Sequence, residues 1–232
     1  MQSRTWYLVR HGETEWNASS RMQGQLDSRL TPLGREHALN SARLLARLGV
    51  DTAFASPLGR VRETVAIIQA EMPIAVTFDD RLMEWSAGDW SGALHAEIPG
   101  RWPAEWAAWD ADRYTNRAPG GENFADLTAR AQAFFADVVV APGARVAIIA
   151  HGFLNRALAG VLLSLPVADT LQIRQANDTV IRIVEIVGSP DVVVDHFNGG
   201  RGPMSGLPTD NDTTDAVPSA AAEPKPDGKL GV

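Results

Sequence analysis

The chain has 232 residues, a net charge of −7 and a hydrophobic fraction of 45%, a composition typical of one soluble globular domain with a sizeable core. It contains no cysteine, which excludes disulfides, zinc–thiolate sites, iron–sulfur clusters and cysteine nucleophiles. The acidic pI of about 5.2 argues against broad nucleic-acid binding, and no apolar stretch is long enough to span a membrane.

Short apolar runs alternate with longer amphipathic segments along the chain. Thr31 is expected to cap the first long helix, with Pro32 at its first position. This alternation predicts a three-layer α/β/α fold, with a mostly parallel sheet and helices on both faces. Strands are predicted at 5–9, 52–56, 75–78, 145–150, 179–187 and 192–197, and helices at 31–48, 57–71, 124–140 and 153–163.

The chain divides by composition into a domain and a tail. Residues 1–201 are predicted to form one domain, with an insertion at about 85–120. In that insertion, Trp102, Trp106 and Trp109 follow helical spacing, which predicts the packing stripe of a small helical cap. The alternative is that one or more of these tryptophans line a ligand pocket. Residues 202–232 contain five prolines and no aromatic residue, so they are predicted to be disordered or loosely packed.

Two histidines and two arginines follow predicted strands at one edge of the sheet. Arg10 and His11 come directly after the first strand, and His151 comes directly after the strand at 145–150. Arg62 lies near the start of the helix that follows the second strand. Because ligands of parallel sheets bind at the carboxyl ends of the strands, these side chains are expected to form one cationic pocket.

Such a pocket is suited to a phosphoryl group. Arginine guanidiniums bind phosphoryl oxygens through paired hydrogen bonds, and helix N-termini add backbone donors for anions. A neutral imidazole can attack phosphorus near pH 7, and a second imidazole can stabilise the charge on the oxygens. A carboxyl group is still needed as the acid for the leaving group, and repulsion from the phosphate would help it to keep its proton.

Six short sequence blocks stand in order along the chain. They are RHGETEWN (10–17), LTPLGREHA (30–38), SPLGRVRET (56–64), GDWSG (88–92), PGGEN (119–123) and AHG (150–152). A lone RHG triplet would be a weak signal, but six blocks at compatible spacings are a strong one. Together they resemble the histidine phosphatase superfamily in its phosphoglycerate-mutase-like branch, and most of all its small phosphatase members.

The resemblance implies roles for particular residues. His11 would be the nucleophile that becomes phosphohistidine, and Glu84 would be the general acid, with Asp89 as the rival carboxylate. Met83 stands where many members have an arginine. The phosphoryl group would be held by Arg10, Arg62 and His151, and the substrate would be contacted by Asn17, Gln23, Gly24 and the Gly152 amide.

Two arginines leave a choice open. Arg60 and Arg62 lie two residues apart on a predicted helix and point in different directions, so only one is expected to reach the site. From the resemblance, Arg62 is predicted to be the arginine that reaches the site and holds the phosphoryl group. Arg21 is a hypothetical additional contact for a second anionic group on the substrate.

The expected function is hydrolysis of small phosphate monoesters, such as sugar phosphates or phosphoglycerate derivatives, without a metal or cofactor. Phosphoglycerate mutase-type phosphoryl transfer is the alternative, although the segment between Glu84 and Pro119 is short and carries a net charge of −2, Glu84 itself not counted. A non-catalytic phospholigand-binding module is a third hypothesis, which the presence of both His11 and Glu84 disfavours. The protein is expected in the cytoplasm, where its partner would be a small-molecule phosphate monoester and not a nucleic acid or a membrane. A homodimer is one assembly that the sequence allows.

Overall fold

A computed structural model describes residues 3–209 except residues 139 and 142. The strands are β1 (Ser3–Arg10), β2 (Thr52–Ala55), β3 (Val76–Phe78), β4 (Arg145–Ala150), β5 (Thr179–Ile186), β6 (Val192–Asn198) and β7 (Arg201–Ser205). They form one sheet in the order β3-β2-β4-β1-β5-β6-β7. The helices are α1 (Glu15–Ala18), α2 (Pro32–Arg47), α3 (Gly59–Glu71), α4 (Ile98–Arg101), α5 (Pro103–Ala111), α6 (Phe124–Asp137), α7 (Gly152–Leu163) and α8 (Val167–Gln172).

The sheet is parallel on one side and antiparallel on the other. Strands β3, β2, β4 and β1 run parallel, whereas β5, β6 and β7 extend the sheet from β1 as antiparallel strands. Strands β1 and β4 are neighbours in parallel register, with Arg10 opposite Ala150. The first residues after these two strands therefore emerge side by side at the same edge.

Side-chain alternation along the central strands builds two cores. On β1, Trp6 and Leu8 point to one face of the sheet and Tyr7 and Val9 to the other, as the two-residue period of a strand requires. The first face packs against α6, α7 and the cap, and the second packs against α2 and α3. The expected α/β fold with helices on both faces is confirmed.

The start of α2 follows from its first residues. The Thr31 hydroxyl accepts a hydrogen bond from the Gly34 amide at 2.9 Å, and Pro32 occupies the first helical position. The cap predicted from the tryptophans contains α4 and α5. Trp109 is buried there, and its ring stacks on Trp85 with 5.7 Å between the centroids.

The predicted tail begins too early. Residues 202–205 belong to β7, which pairs with β6 as the edge strand of the sheet. Pro203 can occupy this strand because an edge strand can lack the inter-strand hydrogen bond that a proline cannot donate. Residues 210–232 of the predicted tail lie outside the described residues. Within the described part of the chain, no helix is long and apolar enough to cross a membrane.

Candidate active site

His11 and His151 lie side by side at the carboxyl ends of β1 and β4. The His11 amide continues the strand pairing by donating to the Ala150 carbonyl at 3.1 Å. The two imidazole centroids are 5.3 Å apart, and only 3% of His11 and 0% of His151 is exposed. Two residues separated by 140 positions in the chain thus share one buried pocket because their strands are neighbours.

Hydrogen bonds orient the His11 ring. Its Nδ1 lies 2.8 Å from the Gly12 carbonyl oxygen, which can only accept, so Nδ1 carries the proton and Nε2 keeps its lone pair. Nε2 faces Arg60, whose Nε donates to it at 3.2 Å. His11 therefore presents an unprotonated nitrogen next to a guanidinium, as a nucleophile toward phosphorus would need.

Burial and positive charge keep both rings neutral. Burial, and then the Arg60 and Arg10 guanidiniums, hold the pKa of His11 well below its usual value. Burial, followed by Arg60 and His11, does the same to the pKa of His151. The His151 Nε2 and the Ser56 hydroxyl form a hydrogen bond of 2.8 Å, which fixes the second ring.

The arginine that reaches His11 is Arg60, so the choice of Arg62 was wrong. Arg60 is 2% exposed and also donates to the carbonyls of Leu26 and Gly24 and to the Asp27 carboxylate, at 2.7 to 2.8 Å. Arg62 points outward, where its Nε donates to the Pro57 carbonyl at 2.7 Å and its guanidinium covers the Phe78 ring. Residues two apart on a helix project about 200° apart, so α3 can direct only one of them into the site.

Arg10 ends β1 and lies along the start of α7. Its Nη1 donates to the Gln175 carbonyl at 2.7 Å. Its Nε would be 3.5 Å from a Cβ at Gly152, which places the guanidinium against the first residue of α7. Arg10, Arg60 and the two histidines therefore surround one position, as a phosphoryl-binding pocket requires.

Glu84 occupies the N-terminus of α7, next to His151. One carboxylate oxygen accepts from the amides of Trp85 at 3.0 Å and Leu154 at 3.2 Å, and the other accepts from Phe153 at 3.3 Å. The Gly152 amide is not used by this carboxylate. Glu84 is 9% exposed, whereas Asp89 is exposed at the surface, so the geometry favours Glu84 as the acid.

Asn17, Arg21, Gln23 and Gly24, the substrate contacts predicted in the segment after β1, make hydrogen bonds within the protein. Asn17 accepts from the Thr14 amide at 3.1 Å in the capping box of α1, which uses its side-chain oxygen. The Gln23 side-chain oxygen accepts from the Ser28 hydroxyl at 3.2 Å. Gly24 has a φ of +52°, and its carbonyl accepts a hydrogen bond from Arg60. Arg21 donates to the Gly92 carbonyl, and its guanidinium lies over the Trp16 ring.

A profile of the histidine phosphatase superfamily (branch 1) matches residues 6–198. The chain belongs to this superfamily. The family expected from the six sequence blocks is therefore confirmed.

Relatives of this histidine phosphatase include phosphatases and a probable mutase. A glucosyl-3-phosphoglycerate phosphatase of Mycobacterium tuberculosis is 36% identical over 178 residues, covering 73% of this chain and 79% of that protein. A probable phosphoglycerate mutase of Salmonella paratyphi B is 35% identical over 182 residues, covering 76% and 83%. A solved mycobacterial glucosyl-3-phosphoglycerate phosphatase in complex with VO3 superposes with a TM-score of 0.71 at 34% identity, covering 78% and 92%.

Several residues that shape this site were missed in the sequence. Arg60 and Ser56 both stand in the SPLGRVRET block, so their signal was present but was assigned to the wrong arginine. Asn177 donates to the His11 carbonyl at 2.8 Å from the loop before β5, a contact that no local pattern indicates. The Thr64 hydroxyl accepts from the Gly12 amide at 3.2 Å and so connects the loop that carries His11 to α3.

Proposed function

We propose that this histidine phosphatase hydrolyses small phosphate monoesters, sugar phosphates or phosphoglycerate derivatives, through a phosphohistidine on His11. The observation that carries the proposal is the unprotonated His11 Nε2, which faces Arg60 and lies beside Arg10 and His151. The phosphatases among the relatives support the same activity. The substrate would be a small molecule, because the groups that recognise it form a buried pocket and not a basic surface.

The reaction would proceed in two steps. In the first, His11 Nε2 forms a bond to phosphorus as the bond to the leaving oxygen breaks, and Glu84 gives that oxygen its proton. Arg10, Arg60 and His151 stabilise the negative charge on the phosphoryl oxygens. In the second, water attacks phosphorus, Glu84 takes a proton from it, and inorganic phosphate leaves the restored His11.

The proposal requires no metal or cofactor, since every group in these steps comes from the chain. Asn17, Gln23, Gly24 and the Gly152 amide remain proposed substrate contacts. The proposed catalytic domain is the predicted 1–201 unit extended by β7 to Ser205. A cytoplasmic location and a homodimer are part of the same proposal.

The decisive experiment measures phosphate release from a panel of monoesters in the presence of EDTA. The panel contains p-nitrophenyl phosphate, 2- and 3-phosphoglycerate and several sugar phosphates. The wild-type chain should release phosphate, and His11→Ala should reduce the rate at least about 1,000-fold because it removes the nucleophile. Folded wild-type protein that releases no phosphate from any of them would contradict the proposal.

Mutase-type transfer is the second candidate, because the Salmonella paratyphi B relative is named a probable phosphoglycerate mutase. Up to the phosphohistidine the chemistry is the same, and the outcome depends on whether water or a second hydroxyl accepts the phosphoryl group. Interconversion of 2- and 3-phosphoglycerate faster than phosphate release, in an assay primed with bisphosphoglycerate, would favour this candidate.

A further inference from the structure

A second group of arginines lies beyond the phosphoryl pocket, along α7. Arg156 is one helical turn after Gly152, and its guanidinium carbon is 4.7 Å from the Phe153 ring centroid. Its Nε is buried and has no hydrogen-bond partner among the described residues. A buried guanidinium nitrogen without an acceptor is costly, and this one lies beside a pocket built for an anion.

The charges around Arg156 are mostly positive. Burial, and then the Arg174 and Arg10 guanidiniums, lower the pKa of Arg156 to about 9, so it still carries its charge at neutral pH. Arg113 also lowers this pKa, and the Glu84 carboxylate acts in the opposite direction. Like charges gathered at one place are unfavourable unless an anion joins them.

The cap brings one of these arginines to the same aromatic surface. The Arg113 guanidinium carbon is 4.5 Å from the Trp109 ring, and the Trp109 and Phe153 rings both stack on Trp85, at 5.7 and 5.5 Å. Arg113 comes from the loop after α5 and Arg156 from α7, so two separate segments supply the guanidiniums. The Arg113 side chain also pairs with the exposed carboxylate of Asp110 at 2.6 Å.

The position of Glu84 relates this cluster to the reaction. Phe153, under the Arg156 guanidinium, donates its amide to the Glu84 carboxylate at 3.3 Å. The acid must lie next to the leaving oxygen, so the rest of the leaving alcohol extends from Glu84. The aromatic surface with Arg156 and Arg113 begins at that point.

We propose that Arg156 and Arg113 form a second anion-binding subsite, which selects phosphate monoesters whose leaving alcohol carries a carboxylate or another acidic group. This inference rests on the proposed function and specifies its substrate class. It also replaces Arg21 as the contact for a second anion, since Arg21 is engaged with the Gly92 carbonyl and the Trp16 ring.

The test compares two substrates that differ in one group. 3-Phosphoglycerate and glycerol 3-phosphate share a three-carbon skeleton, and the first has a carboxylate where the second has a hydroxymethyl group. Arg156→Gln should lower kcat/KM for 3-phosphoglycerate at least about tenfold, mainly through KM, because it removes a charged hydrogen-bond donor. Its kcat/KM for glycerol 3-phosphate and p-nitrophenyl phosphate should change less than about threefold. Arg113→Gln should act in the same direction.

The matched control is Arg117→Gln, which removes an exposed arginine paired with Asp126. It should leave kcat/KM unchanged for both substrates. Arg156→Gln should also leave the melting temperature unchanged or higher, since it relieves repulsion, whereas loss of a structural arginine would lower it. Equal losses on all three substrates, or no loss on 3-phosphoglycerate, would overturn the subsite.

Failure of the proposed function can be told apart from failure of the subsite. If wild-type protein hydrolyses p-nitrophenyl phosphate but shows no dependence on Arg156, only the subsite is wrong. If it hydrolyses nothing, calorimetric titration with the same two compounds decides the question. Tighter binding of 3-phosphoglycerate that disappears in Arg156→Gln supports the subsite, and equal binding of both compounds by wild-type protein rejects it.

Discussion

Arg60 and Arg62 differ in environment although they share α3. Arg60 is buried against His11, and Arg62 is exposed over Phe78. Arg60→Gln should lower kcat/KM at least about 100-fold, because it removes a donor aimed at the transferred group. Arg62→Gln is the matched control and should stay within about twofold of wild type, as expected for an arginine that binds no reacting group. Steady-state kinetics with p-nitrophenyl phosphate checks both, and a larger loss in Arg62→Gln would contradict the assignment.

Glu84 should matter most for alcohols that leave poorly. Glu84→Gln removes the proton donor but keeps the shape of the side chain. A sugar phosphate needs its leaving oxygen protonated, whereas nitrophenolate leaves without help, so the variant should lose at least about tenfold more activity on the sugar phosphate. Equal losses on both substrates in parallel assays would remove Glu84 as the general acid.

The buried histidines should make stability depend on pH. Their pKa values in the folded protein are well below the unfolded value near 6.5. The unfolded chain therefore binds more protons below that pH, so the stabilisation present above pH 6.5 is lost as the pH falls toward the folded pKa. Each histidine contributes up to about 1.4 kcal/mol per pH unit. Urea unfolding between pH 5 and 8 should show a shallower slope in His11→Gln than in wild type, and identical slopes would contradict this.

At the scale of elements, the loop after β1 packs directly on the start of α2. A Cβ at Gly12 would lie 2.0 Å from the Gly34 carbonyl oxygen, closer than two non-bonded heavy atoms can approach. This contact aligns the loop that carries His11 with the helix that begins at Pro32. It explains why the sequence blocks at 10–17 and 30–38 each carry a glycine at the point of contact.

Gly12→Ala should therefore lower the free energy of unfolding by more than about 3 kcal/mol, because backbone and not a flexible side chain would have to move. Gly100→Ala is the matched control, since a Cβ at Gly100 has no atom within 4 Å and lies in α4. That control should be neutral or gain up to about 1 kcal/mol from helix propensity. Denaturant unfolding of the two variants distinguishes the cases, and similar stabilities would refute the packing argument.

At the scale of the whole molecule, the antiparallel edge completes the domain beyond residue 201. The Pro208 carbonyl accepts from the Arg174 amide at 2.9 Å, and the Gly206 carbonyl accepts from the His196 ring at 2.9 Å. Leu207 also packs against the core. These contacts connect the last described residues to the loop that carries Arg174.

A chain ending at Thr209 should keep its activity and its melting temperature, because residues 210–232 have a composition too polar to add to a core. A chain ending at Arg201 loses β7 and should melt at least about 5 °C lower, the equivalent of roughly 2 kcal/mol for a chain of this size. Thermal unfolding of both truncated chains tests this. Equal melting temperatures would restore the boundary at residue 201.

Most regular elements were predictable because their signals are local. The strand at 145–150 was predicted with the bounds that the structure shows, and α2 was predicted from Thr31 and Pro32. The short elements α8 and β7 were not predicted, because they are too brief to show periodicity and depend on contacts with distant segments.

The family, the alternation of strands and helices, and the two histidines were predictable before folding was considered, because each is encoded in a contiguous stretch. Three features depend on how distant segments pack. Arg60 and not Arg62 faces His11, Glu84 lies at the N-terminus of α7, and Arg156 and Arg113 lie on connected aromatic rings. The cap segment has a net negative charge, yet its Arg113 places a guanidinium on the Trp109 ring. The physical reason is that a side chain's direction depends on how its helix is rotated against the sheet, which is set by packing between segments far apart in the chain.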